Sequence, residues 1–241
     1  MKSFKTNIPN TITCLNLLSG AVAIWLSFQT FDSVGGLTPL QWAFIAIGAA
    51  SVFDFLDGFT ARMLKAYSEM GKELDSLSDL VSFGLAPAFL IINKMASEGE
   101  PMGLTLVGLI IAVAGALRLA KFNIDTRQTT SFIGLPIPAN AIFWIGALAW
   151  MEAHGYPGFW ITLILVIVFA WLMNSEIPMF SLKFKTWGWR ENVRRYALLI
   201  AAVLFVSTSG ISGLAWTIFF YILLSVTSRS HSDAADEKDN N

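Results

Sequence analysis

The chain has 241 residues, 55% of them hydrophobic and 14% charged, with a formal net charge of -1 and a mean hydropathy of +0.60. That balance is too apolar for a soluble domain of this length. A single cysteine, Cys14, excludes an intrachain disulfide and a cysteine metal cluster, and no nucleic-acid partner is expected.

Apolar residues fall into continuous blocks of roughly 15 to 20, long enough as helices to cross a hydrocarbon core of about 30 Å. In chain order the blocks are 12–30, 37–61, 74–92, 102–120, 137–151, 157–173, 192–208 and 211–227; the last four are shorter. Strand alternation is absent, which argues against a β-barrel. The expectation is an all-α, polytopic membrane bundle of six to eight transmembrane helices. The block at Ile12 has no small-x-small cleavage site and is read as a retained span. With eight crossings and a cytosolic N-terminus, all but Lys94 of the 16 Lys and Arg residues fall on the inner side. Both termini are then cytosolic. No repeat and no internal linker divides the chain, so residues 1–228 read as one membrane domain. The polar stretch 229–241, with Asp233, Asp236, Glu237 and Asp239, reads as a disordered cytosolic tail.

The second and third blocks carry acidic residues where a membrane helix tolerates few. Asp54 and Asp57 are three apart, and Asp75 and Asp79 are four apart, so each pair projects from one helix face. With Arg62 and Lys72 marking the inner interface, Asp57 and Asp75 lie roughly 8 and 5 Å deep, Asp54 and Asp79 roughly 12 and 10 Å. The two pairs match in level, and the short turn 63–70 makes their helices antiparallel neighbours. Four carboxylates can therefore converge just below the inner surface. An acidic side chain at the centre of a membrane helix costs about 2.5 to 3.5 kcal/mol, and four together repel unless cations hold them. Divalent ions with oxygen ligands, Mg²⁺ or Mn²⁺, are the natural compensation. Helix capping suits Asp75 but does not account for Asp54, Asp57 and Asp79 within helices. Gly58, directly after Asp57, either admits a bulky ligand to the helix backbone or packs against another helix.

Asp54, Asp57, Gly58, Ala61 and Arg62, followed after eight residues by Gly71, Asp75 and Asp79, resemble the signature D-x2-D-G-x2-A-R-x8-G-x3-D-x3-D of the CDP-alcohol phosphotransferase family at every fixed position. The resemblance implies a membrane enzyme that transfers a substituted phosphate from a CDP-linked donor to an alcohol. It implies that Asp54, Asp57 and Asp75 ligate metal, as two ions, with Asp79 shared between the metals and the role of general base. It places Gly58 and Ala61 beneath the cytidine nucleotide and Arg62 and Gly71 near its diphosphate. Pro9, Asn10 and Thr13 resemble an element that helps enclose the nucleotide, although Asn10 can equally cap the helix beginning at Ile12. A homodimer is also implied.

The stretches Asp75 to Ala88 and Gly115 to Pro138 resemble the serine-using branch of the family. The resemblance then covers residues from about Ile8 to Ala141 and implies CDP-diacylglycerol and L-serine as substrates within membrane lipid. Arg118 can clamp a serine carboxylate, with Ser82 or Asn123 adding polar contacts; positive-inside topology explains Arg118 and Lys121 as well. Relatives using glycerol 3-phosphate or inositol phosphate as acceptor often carry an arginine soon after the Pro-Asn-x-x-Thr element, where this chain has Asn16. A cation-coupled transporter would spread its acidic residues along a path through several helices. Here they sit at one face.

Overall fold

A computed structural model describes the backbone of residues 2–30, 32–125, 132–181 and 188–239, and the side chains of 7–30, 32–125, 133–181, 188–189 and 192–227. Several basic residues assigned above to the inner side, Arg127, Lys183 and Lys185 among them, lie outside the described residues. The chain is an all-α polytopic bundle. Among the described residues, five helical stretches are long and apolar enough to cross a membrane, Asn7–Ser27, Pro39–Leu64, Glu69–Ser97, Met102–Ile124 and Asn192–Thr227, and Phe159–Asn174 is a shorter apolar helix. Each of the eight apolar blocks is helical.

The chain divides into two compact units, the first holding residues up to Ala120 together with Gly158–Ala170, the second Lys121–Pro157 and the residues from Trp171 on. In the first, α1 (Lys2–Ser27) is followed by α2 (Pro39–Leu64) and α3 (Glu69–Asp79). A capping box starts α2: Gln41 N donates to Thr38 Oγ1 at 3.3 Å, Thr38 N donates to Gln41 Oε1 at 3.0 Å, and Pro39 occupies the first turn, where its missing N–H costs nothing. Lys65, left-handed at φ 50°, ends α2, and Ser68 begins α3 by accepting from Gly71 N at 3.0 Å. A π-helical turn, Leu80–Leu85, leads from α3 into α4 (Ala86–Ser97) without a break.

Two seams explain how these helices meet. Along α2 the buried residues Ala43, Ile47 and Ala50 recur three or four apart, and the half-buried Asp54 and the buried Asp57 continue the line at the same spacing. Along α1 the line runs Pro9, Thr13, Asn16, Gly20, Ala23 and Leu26, all buried. Small residues on both lines let the backbones approach closely, and α1 packs against α2, α3, the π turn and α4. The contact is tightest at Gly20, where an added Cβ would collide with the Cα and Oγ of Ser82. The antiparallel α2 and α3 of the sequence expectation are joined largely through α1, which contacts both far more than they contact each other. Further along, α5 (Met102–Thr105) leads through a 3₁₀ turn into α6 (Leu109–Ile124).

In the second unit, α7 (Ile137–His154) is too diluted by Pro138, Asn140, Glu152 and His154 to count among the five span-like helices. The helix α8 (Phe159–Asn174), whose residues to Ala170 belong to the first unit, leads to a segment in which Pro178–Met179 pairs antiparallel with Phe132–Ile133. The hairpin of α9 (Trp189–Ser209) and α10 (Gly213–Asp239) reverses at the 3₁₀ turn Gly210–Ser212, so Asn192–Thr227 is two helices rather than one span. At Gly146 α7 meets the backbone of Ala215 with no room for a side chain. Tyr221 Oη donates to the Phe180 carbonyl at 3.0 Å, and Arg195 Nε to the Ser181 carbonyl at 2.8 Å, tying the 178–181 segment to the hairpin. The backbone of α10 continues as helix to Asp239, through the polar stretch read above as tail.

Candidate active site

The acidic site is built by the seam of α2 and the start of α3. Three and four residues along a helix return to the same side, so Asp54 and Asp57 extend the buried line that begins at Ala43, and Asp75 and Asp79 share a face of α3. One carboxylate oxygen from each of Asp54, Asp57 and Asp75 lies within 4.8 Å of the others. Asp57 is 5% exposed, and its Oδ2 is buried with no hydrogen-bond partner among the described residues. Carboxylates only accept hydrogen bonds, so these three cannot satisfy one another. An orphaned buried oxygen inside a ring of three acidic side chains fits a hard cation. The donor set is all oxygen, which suits Mg²⁺ or Mn²⁺ better than softer ions.

Asp79 is 9% exposed and one turn deeper. Its Oδ1 accepts from Asn16 Nδ2 at 3.2 Å. Asn16 is fully buried in the seam of α1, and its main-chain carbonyl accepts from Ser82 Oγ at 2.8 Å. The Ser82 hydroxyl hydrogen is thus committed inside the protein, beside Gly20.

A cavity of about 220 Å³ opens beside Asp57 and Asp75, with Asn10 and Thr13 from α1, Gly58 and Ala61 from α2, and Gly71 and Lys72 from α3 on its walls. Space is tight at Gly71: an added Cβ would lie 3.0 Å from Ser68 Oγ and 3.1 Å from Asn10 Oδ1, and one of these side chains would have to shift. At Gly58 the nearest atom to an added Cβ is Arg62 Nη1 at 3.6 Å, so Arg62 folds back along its own helix beside the cavity. Asn10, Gly58, Ala61, Arg62 and Gly71, scattered in sequence, are brought to one place next to the aspartates. The volume falls below the roughly 300 to 1,000 Å³ usual for ligand pockets, which suits the head of a ligand whose remainder lies outside.

Lys72 lines this cavity, whereas its position in the sequence marks only the membrane boundary. Its place directly after Gly71 was the available signal. Asn16 is the other omission; the spacing 9, 13, 16, 20, 23 along α1 puts it on the buried seam. Arg118 lies in α6 and is 7% exposed. Asn123, also in α6, is about 140° around the helix from Arg118 and belongs to the second unit, so the two do not share a helix face.

The model of the CDP-alcohol phosphatidyltransferase family matches residues 6–176, a span that contains every residue of this site. The chain belongs to that family. Among CDP-alcohol phosphatidyltransferases, it is 38% identical over 171 residues to the CDP-diacylglycerol–serine O-phosphatidyltransferase of Methanocaldococcus jannaschii, covering 70% of this chain and 72% of that protein. It is 34% identical over 187 residues to the enzyme of the same name from Mycobacterium tuberculosis, covering 71% of this chain and 60% of that one. The archaetidylserine synthase of Methanothermobacter thermautotrophicus is 39% identical over 137 residues, 56% of this chain and 54% of that protein. The family is metal-dependent, and the acidic cluster supplies a place for an ion.

Proposed function

We propose that this protein transfers a phosphatidyl group from CDP-diacylglycerol to the hydroxyl of L-serine, forming phosphatidylserine and releasing CMP. The observation that carries the reading is the approach of Asp54, Asp57 and Asp75 to within 4.8 Å beside a small-walled cavity; serine as acceptor rests on the names of the relatives. Residues 1–228 act as one membrane domain, with the site and both termini on the cytosolic side, and a homodimer is the assembly the family implies.

In this reading Asp54, Asp57, Asp75 and Asp79 hold Mg²⁺ or Mn²⁺, as two ions. Bound there, such ions neutralise the diphosphate and align its phosphorus for in-line attack. The cytidine end of the donor lies against Gly58 and Ala61, where a larger side chain would exclude it, with Asn10 and Gly71 at its edge. Arg62, a permanently charged planar donor, faces the diphosphate. Asp79 accepts the proton of the serine hydroxyl as the new P–O bond forms and the bond to CMP breaks. Arg118 is the candidate for the serine carboxylate.

The test is an acceptor comparison. Purified protein in detergent with CDP-diacylglycerol and Mn²⁺ should release CMP when serine is added and not with glycerol 3-phosphate or inositol. Release with either of those and not with serine would move the protein to another acceptor class, and no release with any would sink the transferase reading.

A further inference from the structure

We propose that Asn16 is a positioning residue for Asp79: its amide fixes the Asp79 carboxylate so that one oxygen is held and the other faces the reacting hydroxyl. This rests on the transferase reading above. Asn16 is fully buried, its Nδ2 donates to Asp79 Oδ1 at 3.2 Å, and its Oδ1 is buried with no hydrogen-bond partner among the described residues. The orientation of the amide follows from chemistry. A carboxylate accepts only, so the NH₂ must face Asp79 and the carbonyl oxygen must turn away. Leaving that oxygen unpaired is destabilising. An apolar residue of similar shape at position 16 would avoid the cost and continue the seam of Gly20 and Ala23.

The helix therefore carries a destabilising polar group whose one described side-chain bond is to Asp79. Its backbone is held independently: the Asn16 carbonyl accepts from Ser82 Oγ at 2.8 Å, and Gly20 meets Ser82 one turn on. Ser82 sits one turn after Asp79, inside the π-helical segment. The amide thus projects from a clamped backbone toward a carboxylate whose own helix is clamped to the same place. An uncharged donor suits the task. It orients the oxygen without neutralising it, where lysine or arginine would compete with the metals for the carboxylate.

A clamp for the fold and a positioning group differ in what their loss does. Asn16→Leu removes the unpaired oxygen but also takes the donor from the buried Asp79 Oδ1, so the melting temperature should change little while kcat falls about 10- to 100-fold. KM for serine and for CDP-diacylglycerol, and CDP-diacylglycerol binding across a Mn²⁺ titration, should stay within about threefold of wild type. The deciding readout is a double-mutant cycle: in the Asp79→Asn background, Asn16→Leu should lower kcat by less than about twofold, because its effect runs through Asp79. Additive losses, an unchanged kcat, or a fall in melting temperature together with substrate binding would overturn the proposal. If Asn16→Leu does not fold, Asn16→Ala and Asn16→Ser go through the same cycle, and failure of all three to fold would make Asn16 a fold residue and also overturn it. Wild-type protein that releases no CMP would overturn the transferase reading and this inference with it; wild-type turnover with additive losses overturns the inference alone.

Discussion

Gly71 and Asn10 stand so close that a methyl group on Gly71 would lie 3.1 Å from Asn10 Oδ1. The same methyl would lie 3.0 Å from Ser68 Oγ, the oxygen that caps α3. Gly71→Ala should therefore displace the Asn10 side chain and strain the cap, narrowing the cavity rather than touching the carboxylates. We expect the KM for CDP-diacylglycerol to rise about tenfold with kcat changed less, read from CMP release at saturating serine. A larger effect on kcat than on KM would detach Gly71 from the donor site.

Asp54 and Asp57 share the cluster with Asp75, and an unpaired buried oxygen sits on Asp57. Asn in place of either keeps the shape but removes the negative charge and one of the two ligating oxygens, so Asp54→Asn and Asp57→Asn should weaken Mn²⁺ and CDP-diacylglycerol binding together, by about tenfold or more. EDTA should abolish wild-type turnover and Mn²⁺ or Mg²⁺ restore it. Isothermal titration with Mn²⁺ checks the first and CMP release the second; full activity in chelator contradicts the metal role.

Asp79 is argued to be a base, and a base fails differently from a ligand. Asp79→Asn should lower kcat by about 10² to 10⁴ while CDP-diacylglycerol affinity stays near wild type. Binding measured against Mn²⁺ concentration separates the cases. Loss of binding as severe as in Asp54→Asn would make Asp79 primarily a ligand.

Arg118, buried in α6, is assigned to the acceptor carboxylate. Lysine keeps the charge but not the two-pronged geometry, so Arg118→Lys should raise the KM for serine about tenfold and leave that for CDP-diacylglycerol within twofold. Equal effects on both would return Arg118 to a topological role.

What was legible in the sequence follows from which interactions are local. Carboxylates three and four apart and the small residues beside them are patterns within one or two turns, and the structure brings Asp54, Asp57 and Asp75 together. The eight apolar blocks were legible for the same reason, since a bilayer demands length and composition alone. The role of α1 was not. Its wedge between α2 and α3 depends on Gly20 meeting Ser82 and Asn16 meeting Asp79, residues more than sixty apart, and periodicity within α1 shows a buried line without showing its partner. The π turn at Leu80–Leu85 was hidden too, because a π turn has no residue signature of its own and only the register after Asp79 changes. Along α9 and α10 the reversal at Gly210 was legible, since the apolar blocks 192–208 and 211–227 divide there.

The central claim is tested most directly by following labelled serine into chloroform-soluble lipid with purified protein, CDP-diacylglycerol and Mn²⁺, and counting CMP in the same sample. The account predicts one labelled lipid for each CMP released, and neither product in EDTA. CMP without labelled lipid, or labelled lipid formed when CDP-diacylglycerol is omitted, would contradict it.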